Sequence, residues 1–274
     1  MGNALRTPAS SNVDLEVFDA ITNDKPLELK ALLQEDDFKK SYKTTDPREV
    51  PHGFYYLHLA AFYGALECIK YMKEIGVDLN VGCNMGYTAL VWAMYGDSER
   101  FKTFDSFMYL LNNGADHSIL TNGGSSIAMK ATELNKLEFL EKLIERGANL
   151  TVKNRIEESA VLLASKHTNC ECLQLLIDSR ATIIDIDDKG NTPAHNAARK
   201  GSVNCLQLLI DNGADLSQVN NEGNTPAHNA ASEGSVNCLK LLIDNGANLS
   251  QENKKRKTPK QVSVGECIKL FADK

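Results

Sequence analysis

At 274 residues and 42% hydrophobic content, the chain has apolar material for a continuous core, and more length than one globular core requires. Its net charge of −6 and pI near 5.6 argue against general binding to nucleic acid or to acidic membranes. No apolar run approaches bilayer-spanning length, and the first twenty residues lack the apolar stretch of a secretory signal. Met1-Gly2 opens like a myristoylation signal, but Arg6 stands where that signal needs Ser or Thr.

Residues 1–12 are small and polar and read as a disordered tail. From Asp14 the spacing becomes helical, with Leu15, Phe18 and Ile21, then Leu27, Ala31 and Leu32. Residues 13–52 read as capping helices followed by a long connector, with an extended or disordered finger around 37–50. A unit then begins at Gly53 and recurs, with glycine stops at Gly64 and Gly76. The next copy opens at Gly86 with Thr88 as its cap, and carries about five extra residues between Asp97 and Phe107. That insertion either lengthens a helix or pushes a loop outward. The third unit keeps Ser126 as cap and the fourth keeps Ser159. In the fourth, Arg180 stands where the others have a stop glycine, so a distorted helix end is expected there.

The unit is most regular at the fifth and sixth copies. Gly190–Asn220 and Gly223–Asn253 differ at only five of 31 positions, with a period of 33, which marks a repeat architecture. Thr192 can cap a helix that starts with Pro193. Ala194, Ala197 and Ala198 give that helix a small-residue face, and Gly201 ends it. A second helix carries Cys205, Leu206, Leu209 and Ile210 at helical spacing and stops at Gly213. Neither helix is long enough to stand alone, so each unit must bury its apolar face on the next. A shortened, lysine-rich unit from Thr258 closes the array.

Thr192-Pro-Ala-His195 followed by Asn-Ala-Ala-x-x-Gly, repeated at Thr225, resembles the ankyrin repeat, with Ala194 and Ala227 in place of the family's leucine. The resemblance implies an all-α ankyrin-repeat solenoid of helix-turn-helix units with hairpin loops. Its repeats would lie near 53–85, 86–123, 124–156, 157–189, 190–222 and 223–255, with a capping repeat at 256–274. It also implies that the histidine of each motif ties neighbouring hairpins together. Val91, Met129 and Leu162 replace that histidine, so repeats two to four are expected to open first.

Nothing in the sequence makes a catalytic constellation. The histidines at 195 and 228 occupy the repeat position, and no phosphate loop, nucleophile elbow or metal-spaced cluster appears. No cofactor and no metal are expected. Cys172, Cys205 and Cys238 recur with the repeat and read as buried packing residues, and the seven cysteines suit a reducing intracellular setting. Binding is the function that repeat arrays favour. Thirteen of eighteen aromatic residues fall between Phe54 and Tyr109, which directs attention to the N-terminal repeats. Tyr71, Trp92, Phe107 and Tyr109 sit at core positions. Phe54, Phe62, Tyr63, Tyr87 and Tyr95 align with polar residues of the twin repeats, so the fold does not demand aromatic rings there. Either they contact a partner, or they pack on the first finger or the insertion. With Met85 and Arg100 they form the candidate partner-binding set.

The expected function is a non-enzymatic scaffold or adaptor that binds another protein through the concave face of its N-terminal repeats. The alternatives are a stoichiometric regulator of an enzyme or nuclear factor, and a secreted bacterial effector acting on a host protein. Lys254, Lys255, Arg256 and Lys257 form a basic run that fits a solvated hairpin tip, an import signal or an acidic partner. The chain is expected to be monomeric and cytoplasmic, or nuclear if the basic run acts as a signal, with no nucleic-acid or membrane partner.

Overall fold

The structure is a computed structural model and describes residues 12–33, 37, 54–97 and 102–271. Residues 1–11 of the tail expected at 1–12, nearly all of the first finger, and the tip of the insertion with Arg100 lie outside the described residues, whereas Asn12 opens the first helix. Two compact units divide the chain, Met1–Ile127 and Ala128–Lys274.

The N-terminal unit contains α1 (Asn12–Thr22), α2 (Pro26–Leu32), α3 (Tyr56–Phe62), α4 (Leu66–Glu74), α5 (Ala89–Tyr95) and α6 (Thr103–Asn112). Consecutive helices pair, the first helices α1, α3 and α5 pack in series, and so do the second helices α2, α4 and α6. The first helices can approach closely because their contact faces are small: Ala60, Ala61, Ala89 and Ala93 are fully buried. Gly96 shows how close the approach is. A Cβ there would lie 2.1 Å from the Phe62 carbonyl oxygen, so no larger residue fits without moving backbone. The insertion does not lengthen α5, which has seven residues, and α6 has ten against nine in α4. The extra residues therefore fall between Gly96 and Thr103, where 98–101 lie outside the described residues.

In the C-terminal unit α7 (Ile127–Glu133, its first residue at the boundary) and α8 (Leu137–Glu145) lead to α9 (Ala160–His167) and α10 (Cys170–Asp178). The twin repeats supply α11 (Pro193–Lys200), α12 (Val203–Asp211), α13 (Pro226–Ser232) and α14 (Val236–Asp244). The short α15 (Pro259–Val262) and a 3₁₀ helix (Gly265–Phe271) close the unit. Here α9, α11, α13 and α15 pack in series, as do α8, α10, α12, α14 and the 3₁₀ helix. Cys205, Leu206 and Leu209 of α12 are fully buried, as are Cys238, Leu239 and Leu242 of α14. Each such leucine contributes roughly 1.5–3 kcal/mol by leaving water. Stacking of neighbours thus supplies the stability that these eight- and nine-residue helices lack alone.

The first helices α7, α9, α11 and α13 each end close to a left-handed residue, which the chain supplies in several ways. Gly201 (φ 71°) has Thr168 (φ 62°) and Asn135 (φ 54°) as its counterparts one and two periods earlier. The expected distortion at Arg180 is absent. Arg180 takes φ 63°, its amide donates to Ile177 O at 2.9 Å, and the Ala181 amide donates to Leu176 O at 2.9 Å. Gly213 and Ala214 make the same pair of bonds to Ile210 O and Leu209 O. The cost of the wrong residue, about 1–2 kcal/mol for an L side chain in this region, is borne locally and leaves the geometry unchanged.

One cysteine reading is corrected. Cys205 is fully buried, as expected, but its sulfur is bonded to that of Cys170, with Cα atoms 5.1 Å apart. Cys68, Cys83, Cys172, Cys238 and Cys267 are buried free thiols.

Candidate protein-interaction site

The histidines are structural ties. His195 Nε2 donates to Asn224 O at 2.8 Å, so Nδ1 is the acceptor and receives the Thr192 amide at 3.2 Å and its hydroxyl at 2.8 Å. His228 repeats this with Lys257 O at 2.9 Å and Thr225. In the N-terminal unit His58 bonds Val81 O at 2.9 Å and takes the Tyr55 amide at 3.1 Å, so a tie survives without the threonine. Burial holds His58 and His195 neutral, with pKa values lowered to about 4, and lowers His228 in the same direction. A ring with both nitrogens committed to backbone partners is poorly placed for acid–base chemistry. Among the described residues no group of three or more His, Cys, Asp and Glu is placed to hold a metal ion. Thr88, expected as a cap, makes no side-chain cap bond, whereas Ser159 accepts from the Leu162 amide at 3.4 Å.

The aromatic set divides. Phe54 is fully buried, edge-on to Trp92 with centroids 4.9 Å apart, and Tyr63 is buried edge-on to Phe18 of α1 at 5.6 Å. These two candidates for the partner-binding set are therefore packed inside the unit, on Trp92 and on Phe18 of α1. Phe54 sits where Asn191 sits in the twins, and Asn191 is itself buried, satisfied through Asp187 and Asn220. Tyr63 aligns with exposed Lys200, but α1 supplies a ring to cover it.

The others gather at one edge. Phe62, Tyr87 and Tyr95 are half-buried, and Met85 is 40% exposed. Tyr87 and Tyr95 stack at 5.8 Å with an interplanar angle of 18°, and Trp92 lies within 5.7–6.3 Å of Phe62, Tyr87 and Tyr95. Trp92, placed in the core by sequence reasoning, is buried as expected and stands at the centre of this cluster. Its indole Nε1–H is buried and has no hydrogen-bond partner among the described residues, a donor left unsatisfied inside an aromatic patch. No sequence signal distinguishes that donor from an ordinary core indole. Tyr71 and Tyr109, expected in the core, are half-buried; Lys70 and Lys73 each place Nζ 6.0 Å from the Tyr109 ring centroid.

The basic run lies on the last hairpin, with all four side chains exposed. Its backbone is fixed: Asn253 Oδ1 accepts the Lys255 and Lys257 amides, Lys254 N donates to Glu222 O, and Lys257 O receives His228. Among the described residues no helix is long and apolar enough to cross a membrane.

Against known proteins, a family model for ankyrin repeats matches the chain over residues 17–119, 58–154, 127–220, 161–253 and 212–273. Among solved structures, the chain is similar to the human ASB11 ankyrin repeat domain. The TM-score is 0.68 at 25% identity, over 77% of this chain and 92% of that one. None of the curated proteins compared with the chain matches it in sequence.

Proposed function

This chain belongs to the ankyrin repeat family, whose members generally serve as protein–protein interaction modules, and we propose that it is a non-enzymatic adaptor that captures a partner protein through its N-terminal unit. The contact surface is the edge formed by Phe62, Met85, Tyr87 and Tyr95 around Trp92. The observation that carries this reading is the buried Trp92 Nε1–H, without a partner among the described residues, at the centre of a half-exposed aromatic cluster. A partner that lays apolar surface on the rings and offers a carbonyl to the indole would gain packing and relieve a desolvated donor, worth roughly 1–3 kcal/mol. Phe54 and Tyr63 take no direct part, because they are buried within the unit.

The test is affinity capture with the full chain and two variants. Phe62→Ala/Tyr87→Ala/Tyr95→Ala alters the cluster, and Lys255→Ala/Arg256→Ala alters the basic hairpin, with circular dichroism to confirm folding. The cluster variant is expected to lose a set of partners that the hairpin variant keeps. Partners retained by the folded cluster variant and lost by the hairpin variant would overturn the aromatic reading, in favour of a regulator that meets an acidic or nuclear partner through its last hairpin.

A further inference from the structure

The junction between the fourth and fifth repeats differs in two ways from the two junctions that follow it. The first is a missing tie. His195 fastens the fifth repeat to the sixth through Asn224 O, and His228 fastens the sixth to the last through Lys257 O. The matching residue of the fourth repeat is Leu162, which is buried and has no donor to offer the Asn191 carbonyl. The second is an added tie. The Cys170–Cys205 bond joins the first residue of α10, in the fourth repeat, to α12, in the fifth. The cysteine at 205 recurs at 172 and 238, but the partner position does not: one period before and after Cys170 stand Leu137 and Val203. The departure that places a thiol opposite the recurring one occurs at the last of the three junctions whose motif histidine is replaced, next to the histidine-tied repeats.

We propose that Cys170 and Cys205 form a reversible disulfide that fastens the fourth repeat to the fifth in place of the histidine tie, and that thiol–disulfide exchange at Cys170 controls how readily this junction opens. The two sulfurs differ in access. Cys205 is fully buried, while Cys170 is half-buried at the start of its helix, beside the Ser202 hydroxyl at 3.5 Å. A dithiol reductant therefore attacks Cys170 Sγ. Its thiolate forms a mixed disulfide with Cys170 as the Cys170–Cys205 bond breaks, and the Cys205 sulfur leaves with the bonding pair and takes up a proton. The second thiolate of the reductant then attacks its own mixed-disulfide sulfur and releases Cys170. The reductant ends as a cyclic disulfide, and two electrons have passed to the protein. A small-molecule disulfide such as oxidised glutathione reverses both steps. Reduction leaves this junction with neither the covalent tie nor the histidine tie. Because exchange lengthens the segment free to fluctuate, its effect should appear as local opening of α9 and α10.

The test uses the whole chain equilibrated with oxidised glutathione or with dithiothreitol. After unfolding in the absence of reductant, five of the seven cysteines should react with a thiol reagent in the oxidised sample, and peptide mapping should link 170 to 205. All seven should react after dithiothreitol. Amide exchange in the native protein should then speed up by at least about tenfold in α9 and α10 on reduction, with α13 and α14 unchanged. Cys170→Val, which installs the residue found at 203 and 236, should show no response to dithiothreitol. Seven reactive thiols in the glutathione-treated chain, or a link between other cysteines, would overturn the proposal. So would α9 and α10 exchange that is the same in both redox states of the wild type, a comparison that does not depend on how the variant folds.

Discussion

The repeat at 54–86 and the twin repeats at 190–253 meet the same packing demand with different chemistry. In the twins a polar scheme closes each unit: Thr caps, His ties, and buried Asn191 bonds Asp187 and Asn220. In the N-terminal repeat Phe54 fills the position of Asn191 and buries an aromatic face against Trp92, while Tyr55 donates its amide to His58 and sets its ring edge-on to the imidazole. A position that is polar in one repeat can thus be core in another. Polarity at an aligned site does not establish exposure. What it establishes is that the site has partners for polar atoms in that copy.

The comparison can be broken most severely at Gly96. Gly96→Ala should destabilise the N-terminal unit by about 3 kcal/mol or more, because the new methyl meets the Phe62 carbonyl rather than a movable side chain. Thermal or urea unfolding would show it, while probes in the C-terminal unit stay unmoved.

Acid should act on both regions. His58 and His195 have folded pKa values near 4, below the unfolded value of about 6.5, so the unfolded chain binds more protons between those limits. Their contribution is full above pH 6.5 and declines as the pH falls towards 4, by up to about 3 kcal/mol for each ring as an order of magnitude. His195→Leu should lower stability at pH 7 by about 2 kcal/mol and flatten the pH slope of the C-terminal unit. An unchanged slope would show that carboxylates, not this tie, set it.

Smaller changes sharpen the contrast between caps. Thr225→Ala should cost about 1 kcal/mol, since its hydroxyl faces the His228 amide and ring, whereas Thr88→Ala should cost only a few tenths, since Thr88 makes no side-chain cap bond. Arg180→Gly should stabilise the C-terminal unit by up to about 1 kcal/mol by relieving a left-handed arginine that the fold already tolerates.

Period, turn residues and alanine faces made the helix pairs legible in the sequence, because each is a local requirement that recurs every 33 residues. The site was legible only in part. Clustering of aromatics pointed to the N-terminal unit, where the proposed surface lies, and Tyr87 and Tyr95 do share an edge. Burial of Phe54 and Tyr63 was not legible, because it depends on Trp92 and on Phe18, the latter 45 residues away in sequence. The Cys170–Cys205 bond was hidden for a similar reason: the recurring cysteine has a sufficient explanation in packing, and its partner is a lone departure in the preceding repeat.

The most direct test of the central claim uses Trp92, the sole tryptophan. A captured partner, or a tryptophan-free fragment of it, is titrated into the full chain while indole emission is followed. Saturable quenching or a spectral shift, lost in Tyr87→Ala/Tyr95→Ala, is the expected result. Tight binding that leaves Trp92 emission unchanged would contradict the placement of the partner on the aromatic edge.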